Sequence, residues 1–132
     1  SYAVKQAYDK AIEAAGEVID FTVTPDDPSE YSVSRQKCSY RKIGNTVIVT
    51  VAFRGDLLKT TNSITFGASA AFPEMTVINS RDVFFETYGG RGSCGITINP
   101  NGAVYLTFHF DEQMEPKTDM GLCVFLAYET TG

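Results

Sequence analysis

Val47, Val49, Val51 and Phe53 stand at every second position of an uninterrupted run from Thr46 to Arg54. An apolar period of two lines one face of a strand and cannot line one face of a helix, so this stretch commits the chain to a sheet with a buried side. The same vocabulary of Val, Ile, Thr, Phe and Tyr, cut into short runs by Gly, Pro, Asn and Asp, continues to the C-terminus. That is the composition of an antiparallel β protein. Strands are expected over 32–42, 46–54, 63–67, 75–79, 82–88, 94–98, 103–110 and 122–128. Their spacing predicts an all-β fold, an antiparallel, jelly-roll-like β-sandwich of about seven or eight strands.

Two turns are written in the residues. Gly44-Asn45 marks a tight hairpin between the first two runs. In Asn99-Pro100-Asn101-Gly102, Pro suits the second turn position and Gly tolerates positive φ. Along 103–110, Val104, Leu106, Phe108 and Phe110 point one way, and Tyr105, Thr107 and His109 the other. The run 122–128 is apolar on both sides, with Leu122, Val124, Leu126 and Tyr128 opposite Cys123, Phe125 and Ala127. Such a strand belongs at the centre of a sheet or at an interface.

From Tyr2 to about Ile19 the period changes. Val4, Ala7, Ala11, Ala14 and Val18 recur at spacings of three and four, the seam of a helix. A second line, Tyr8, Ile12, Ala15 and Ile19, runs beside it. A helix of this length is marginal alone in water, so it must pack on copies of itself or on the chain's own strands, and the sequence leaves both open. Pro25-Asp26-Asp27-Pro28-Ser29 cannot continue a helix. The chain therefore divides into an N-terminal helix over 1–20, a connector over 21–31 and a β-sandwich head over 32–132. Ser1 in place of an initiator Met is expected of a fragment or a processed chain.

Composition narrows the function. The 16 acidic residues outnumber the 11 basic ones, giving a net charge of −5, and the basic residues are scattered rather than clustered. Nucleic acid is therefore not an expected partner. No apolar run approaches the ~20 residues that span a bilayer, so membrane insertion is not expected. Cys38, Cys94 and Cys123 are odd in number and lack metal-ligand spacing, so free, mostly buried thiols made in a reducing cytosol are expected. The single His109 has no nucleophile elbow near it, and Asp82 with Glu86, or Asp111 with Glu112, read as solvated carboxylates. No enzyme activity, cofactor or metal is expected.

Recognition residues concentrate on loops carried by a rigid scaffold. Tyr88 and Arg91 flank Gly89-Gly90, read as a flexible connection between strands. Tyr offers a flat apolar face with a hydroxyl, and Arg a planar set of donors, a pairing suited to glycans or protein epitopes. A second candidate edge is a polar loop over 111–119, carrying Asp111, Glu112 and Lys117.

Two stretches resemble a known family. Ala3-Val4-Lys5-Gln6-Ala7-Tyr8-Asp9-Lys10-Ala11 resembles a segment that recurs in bacteriophage tail-fibre proteins. Tyr40-Arg41-Lys42-Ile43-Gly44-Asn45-Thr46-Val47-Ile48-Val49 is similar to a pattern of small β-sandwiches that end phage tail and baseplate proteins. Phe72-Pro73 and Asn101-Gly102-Ala103-Val104-Tyr105-Leu106 occupy positions comparable to later family marks, with Phe where Leu is usual. The resemblance implies the receptor-binding tip of a tail fibre. It would be a homotrimer with Val4, Ala7, Ala11, Ala14 and Val18 at the trimer interface of a coiled-coil stem. It would sit on the virion tail, be made in the host bacterial cytoplasm, adjoin other phage tail proteins and adhere to a bacterial cell-surface glycan or protein. The alternatives are a purely structural tail or baseplate trimerisation domain and, with less support, a fragment of a polysaccharide-degrading tail spike.

Overall fold

The computed structural model describes residues 3–6, 17–74, 80–86 and 90–130, and of 80–86 the backbone. A helical turn at 3–6 precedes nine strands among the described residues: β1 (Ile19–Phe21), β2 (Val23–Pro25), β3 (Tyr31–Ile43), β4 (Thr46–Leu57), β5 (Thr61–Ala68), β6 (Ser80–Glu86), β7 (Arg91–Ile98), β8 (Val104–Met114) and β9 (Lys117–Glu129). They follow the order β1-β3-β4-β9-β6-β7-β8-β5-β2 with every pair antiparallel. Strand β6 is the seam of this strip. It pairs with β7 from Ser80 to Phe85 but meets β9 only at Phe85↔Cys123 and Glu86↔Leu122. Around that seam the strip closes into two facing sheets, β1-β3-β4-β9 and β7-β8-β5-β2. The expected all-β sandwich after a short helical segment is the observed fold.

The two sheets meet through the alternating apolar residues. From β4, Val47, Val49, Val51 and Phe53 are all buried, and Ile64 and Phe66 of β5 and Val104, Leu106 and Phe108 of β8 face them from the other sheet. Phe53 packs across the gap on Phe66, with ring centroids 4.6 Å apart, and on Phe108 at 5.6 Å. Tyr31 completes the cluster edge-on against Phe53 and Phe66, and its hydroxyl donates to the Met120 carbonyl over 2.6 Å. Cys38 and Cys94 are buried in this core as expected, and burial pushes the Cys38 thiol pKa up. Cys123 is the exposed thiol of the three.

The N-terminal boundary differs from the expected one. Ile19, assigned to the helix by its spacing, lies in β1 opposite Tyr40, and Val18 before it is not helical. Nor are residues 21–31 a bare connector. Phe21 and Val23 are buried, and β2 pairs with β5. One short segment thus closes the open side of the sandwich, β1 lying on the edge of one sheet and β2 on the edge of the other. The physical reason is edge protection, because a free strand edge exposes unpaired backbone groups. The Gln36 side chain completes the seal. Its Oε1 accepts from the Val23 amide at 2.6 Å, and its Nε2 donates to the Val23 carbonyl at 3.2 Å. Gln36→Leu removes both partners from a buried residue, and a loss of about 1–3 kcal/mol is expected in urea unfolding. The remaining helical pattern, 7–16, and the expected strand 75–79 lie outside the described residues.

Both expected hairpins form. Gly44 has φ +60° between Ile43 and its partner Thr46. Gly102, at φ +90°, donates to the Asn99 carbonyl, and the Asn99 amide donates to the Ala103 carbonyl. The register places both hairpins at the end of the sandwich where the chain enters β1. The opposite, far end carries the start of β3, the end of β4, the start of β7, the end of β8 and the start of β9.

Candidate recognition surface

At the far end the chain crosses twice between the sheets. Residues 58–60 carry it from β4 to β5, and Glu115-Pro116 from β8 to β9. The crossings lie together, since Thr60 Oγ1 donates to Glu115 Oε2 over 2.9 Å. The expected long loop over 111–119 is therefore mostly strand, with only Glu115 and Pro116 outside it. What resembles a loop is an irregular stretch of β8. His109 pairs with Ser63 and Met114 with Thr61, so five residue steps on β8 oppose two on β5. Extra residues must arch away from the ladder. Asp111, Glu112 and Gln113 are exposed there.

Arg91 is placed differently from expectation. It is the first residue of β7 rather than a member of a flexible connection, and Gly92 beside it is buried against β8. A Cβ on Gly92 would overlap the His109 carbonyl oxygen, so glycine here serves close strand approach and not loop freedom. Arg91 Nε stands 3.6 Å from Asp111 Oδ2, with both side chains about two-thirds exposed (69% and 62%). The structure thus brings two of the sequence candidates into contact. Glu112 follows Asp111 on the same arch, and Lys117 opens β9 opposite Leu57 at the same end. Tyr88 lies outside the described residues.

A third group at this end has no signature in the sequence. Arg54 Nε donates to Asp119 Oδ1 at 3.0 Å and its Nη2 to the Asp119 carbonyl at 3.1 Å, while the Asp119 amide donates to Asp56 Oδ1 at 3.0 Å. Asp119 holds φ +52°, where β9 begins beside the irregularity between Gly55 and Leu57. The hydrogen bond and charge of Arg54 hold the Asp119 carboxyl below its ordinary pKa. Any stability from this pair is present above the ordinary carboxylate pKa and lost as pH falls through the lowered value. These residues are 65 and 63 positions apart in sequence, which no local pattern reveals.

Asp26, Asp27, Glu30, Asp56, Asp111, Glu112, Glu115 and Asp119, eight of the 16 acidic residues, sit at this end with Arg35, Arg54, Lys59, Arg91 and Lys117. The depression beside Leu58 and Pro116 is shallow and about 480 Å³ in volume. Among the described residues, no three His, Cys, Asp or Glu side chains converge to hold a metal ion. The arrangement offers a charged, shallow rim suited to contact with another surface.

Of the seam residues, Val4 is exposed (68%) in the helical turn and Val18 is exposed (45%) beside β1, while Ala7, Ala11 and Ala14 lie outside the described residues.

Comparison with solved structures finds the head domain of the porcine adenovirus type 4 (NADC-1 isolate) fibre, at a TM-score of 0.53 and 14% identity over 86% of this chain and 99% of that one. This chain has the fold of a viral fibre head. No family model matches the sequence, and no curated protein does. The β-sandwich expected from the sequence is shared with this fibre head, and the likeness is one of fold.

Proposed function

We propose that this chain is the receptor-binding tip of a bacteriophage tail fibre, a homotrimer that holds the virion to a bacterial surface glycan or protein without catalysing any reaction. The observation that carries this reading is the gathering of Arg91, Asp111, Glu112 and Lys117 at the end of the sandwich opposite the point where the N-terminal segment enters. A domain mounted on a stem presents that end outward. The fibre-head fold and the tail-fibre marks in residues 3–11 support the same assignment. Shallow rims bind weakly, and three copies on one stem multiply weak contacts into lasting attachment.

Attachment of the labelled protein to a panel of bacterial cells tests it. Arg91→Ala should reduce attachment several-fold and leave the melting temperature nearly unchanged, because an exposed ion pair contributes about 0–1 kcal/mol. Asn101→Ala, at the near end, should leave attachment intact. Undiminished attachment by the Arg91 variant, with a loss in the Asn101 variant, would place recognition elsewhere.

A further inference from the structure

Positive charge gathers on the outer side of the sheet β3-β4-β9 although the chain as a whole carries −5. The outward positions of β3 are Arg35, Lys37, Ser39, Arg41 and Ile43, and Arg54 of β4 stands opposite Arg35. Three of these four cations have an acidic neighbour. Arg54 is paired with Asp119, Arg35 stands close enough to help lower the Asp119 pKa, and Lys37 Nζ lies 3.9 Å from Asp20. Arg41 has no carboxylate at ion-pair distance among the described residues. It is partly buried, its ladder partner is Ile48, and the outward positions on either side of it along β3 are Ser39 and Ile43. A guanidinium held partly out of water without a counter-charge favours an anion beside it. An aromatic surface lies close by. Arg41, Ser39, Thr50 and Phe125 line one shallow depression of about 280 Å³ with Ile43 and Ile48. Phe125 is 59% exposed although it belongs to an interior strand flanked by β4 and β6. The register sets Ser39, Thr50 and Phe125 in a row across three strands, with Arg41 two residues further along β3. At ~4.8 Å between strands and ~3.4 Å per residue, the Cα atoms of Arg41 and Phe125 stand about 12 Å apart.

We infer that this depression binds a saccharide bearing an anionic group, its ring stacked on Phe125 and its carboxylate or phosphate on Arg41. The C–H bonds on the face of a sugar ring are weakly positive and suit the negative face of an aromatic ring. The guanidinium fork matches two oxygens of the anion, and the Ser39 and Thr50 hydroxyls, set between the two, can donate to or accept from the hydroxyls of the sugar. Size agrees, since 280 Å³ lies just under the ~300–1,000 Å³ of drug-sized sites and suits a single ring. A peptide finds less to hold. β4 and β9 are interior strands, and β1 covers β3 from Cys38 to Tyr40, so the strands beneath the depression offer no open edge to an added strand. A nucleic acid would set many phosphates against an acidic chain. The site lies on the flank of the sandwich, goes beyond the proposed far-end contact and does not depend on it.

Titration of the isotope-labelled native protein with trigalacturonic acid, followed by NMR of the backbone amides, tests the inference. Saturable shifts are expected at Ser39, Arg41, Thr50 and Phe125. The methyl ester of the same trisaccharide keeps the rings and loses the charge, and it should bind about tenfold more weakly, the worth of a charge-assisted hydrogen bond. Glucose-6-phosphate set against glucose repeats the comparison for a phosphate, and the tighter of the two acids names the anion. Arg41→Ala should remove most of the preference for acid over ester. Phe125→Ser should weaken acid and ester alike, and Arg91→Ala at the far end should change neither. The comparison of acid with ester is made on the unaltered chain, so it stands even if a variant folds poorly. Equal affinity for charged and neutral forms, shifts confined to other faces, or no saturable binding of either acid would overturn the inference. Cell attachment is not read in this experiment, so its outcome is separate from that of the Arg91 test.

Discussion

Gly55→Ala is expected to destabilise the domain by about 4 kcal/mol or more, enough to unfold much of a protein whose total stability is of order 5–15 kcal/mol. The cause is steric and local. Tyr31 turns under β4 to reach the Met120 carbonyl, and β3 bulges between Val33 and Arg35 at the same level. A Cβ on Gly55 would overlap the Ser32 carbonyl oxygen and lie 2.9 Å from Tyr31 Cε1. Backbone cannot retreat from that contact without breaking the β3-β4 ladder. Gly92→Ala meets the His109 carbonyl in the same way and should rank beside it. Gly44→Ala is the comparison. It has open space around it and only a positive φ to disfavour a side chain, so about 1–2 kcal/mol is expected. Urea titrations of the three variants decide the matter, and equal costs for Gly55→Ala and Gly44→Ala would contradict the described packing.

Phe66→Ala should cost about 3–5 kcal/mol by removing the ring at the centre of the aromatic cluster. Phe66 is fully buried and touches Tyr31, Phe53 and Phe108, with centroids 4.6 to 5.7 Å away. Those rings come from three other strands in both sheets, so no single movement can refill the space. Phe66→Leu keeps most of the volume and should cost clearly less. Thermal unfolding followed by tyrosine fluorescence reads both, and a mild effect for the alanine variant would mean that the sheets can close over the gap.

The elements most legible in the sequence were those fixed by local chemistry. The alternation in β4, β8 and β9 named their buried faces, and Gly44 and Gly102 announced their turns because positive φ selects glycine. Strands β1 and β2 were not legible. Each is three residues long, too short for a period, and their pairing depends on β3, on β5 and on the Gln36 amide. The same limit applies to the far end. Asp111 and Arg91 were individually plausible, but their contact depends on the β7-β8 register, and Arg54, Asp56 and Asp119 meet only through the β4-β9 pairing. The exposed side of β9 was readable in outline, since Phe125 alternates with buried Leu and Val. Its neighbours, Thr50 on β4 and Ser39 on β3 with Lys37 and Arg41 to either side, depended on the pairing of three strands.

The proposed fibre tip joins three copies of the head and turns its far end to a host. Sedimentation equilibrium of the wild-type chain at micromolar concentration tests this assembly most directly. The predicted result is a single species of three times the 14.4 kDa chain mass. A single species of one chain mass would contradict it.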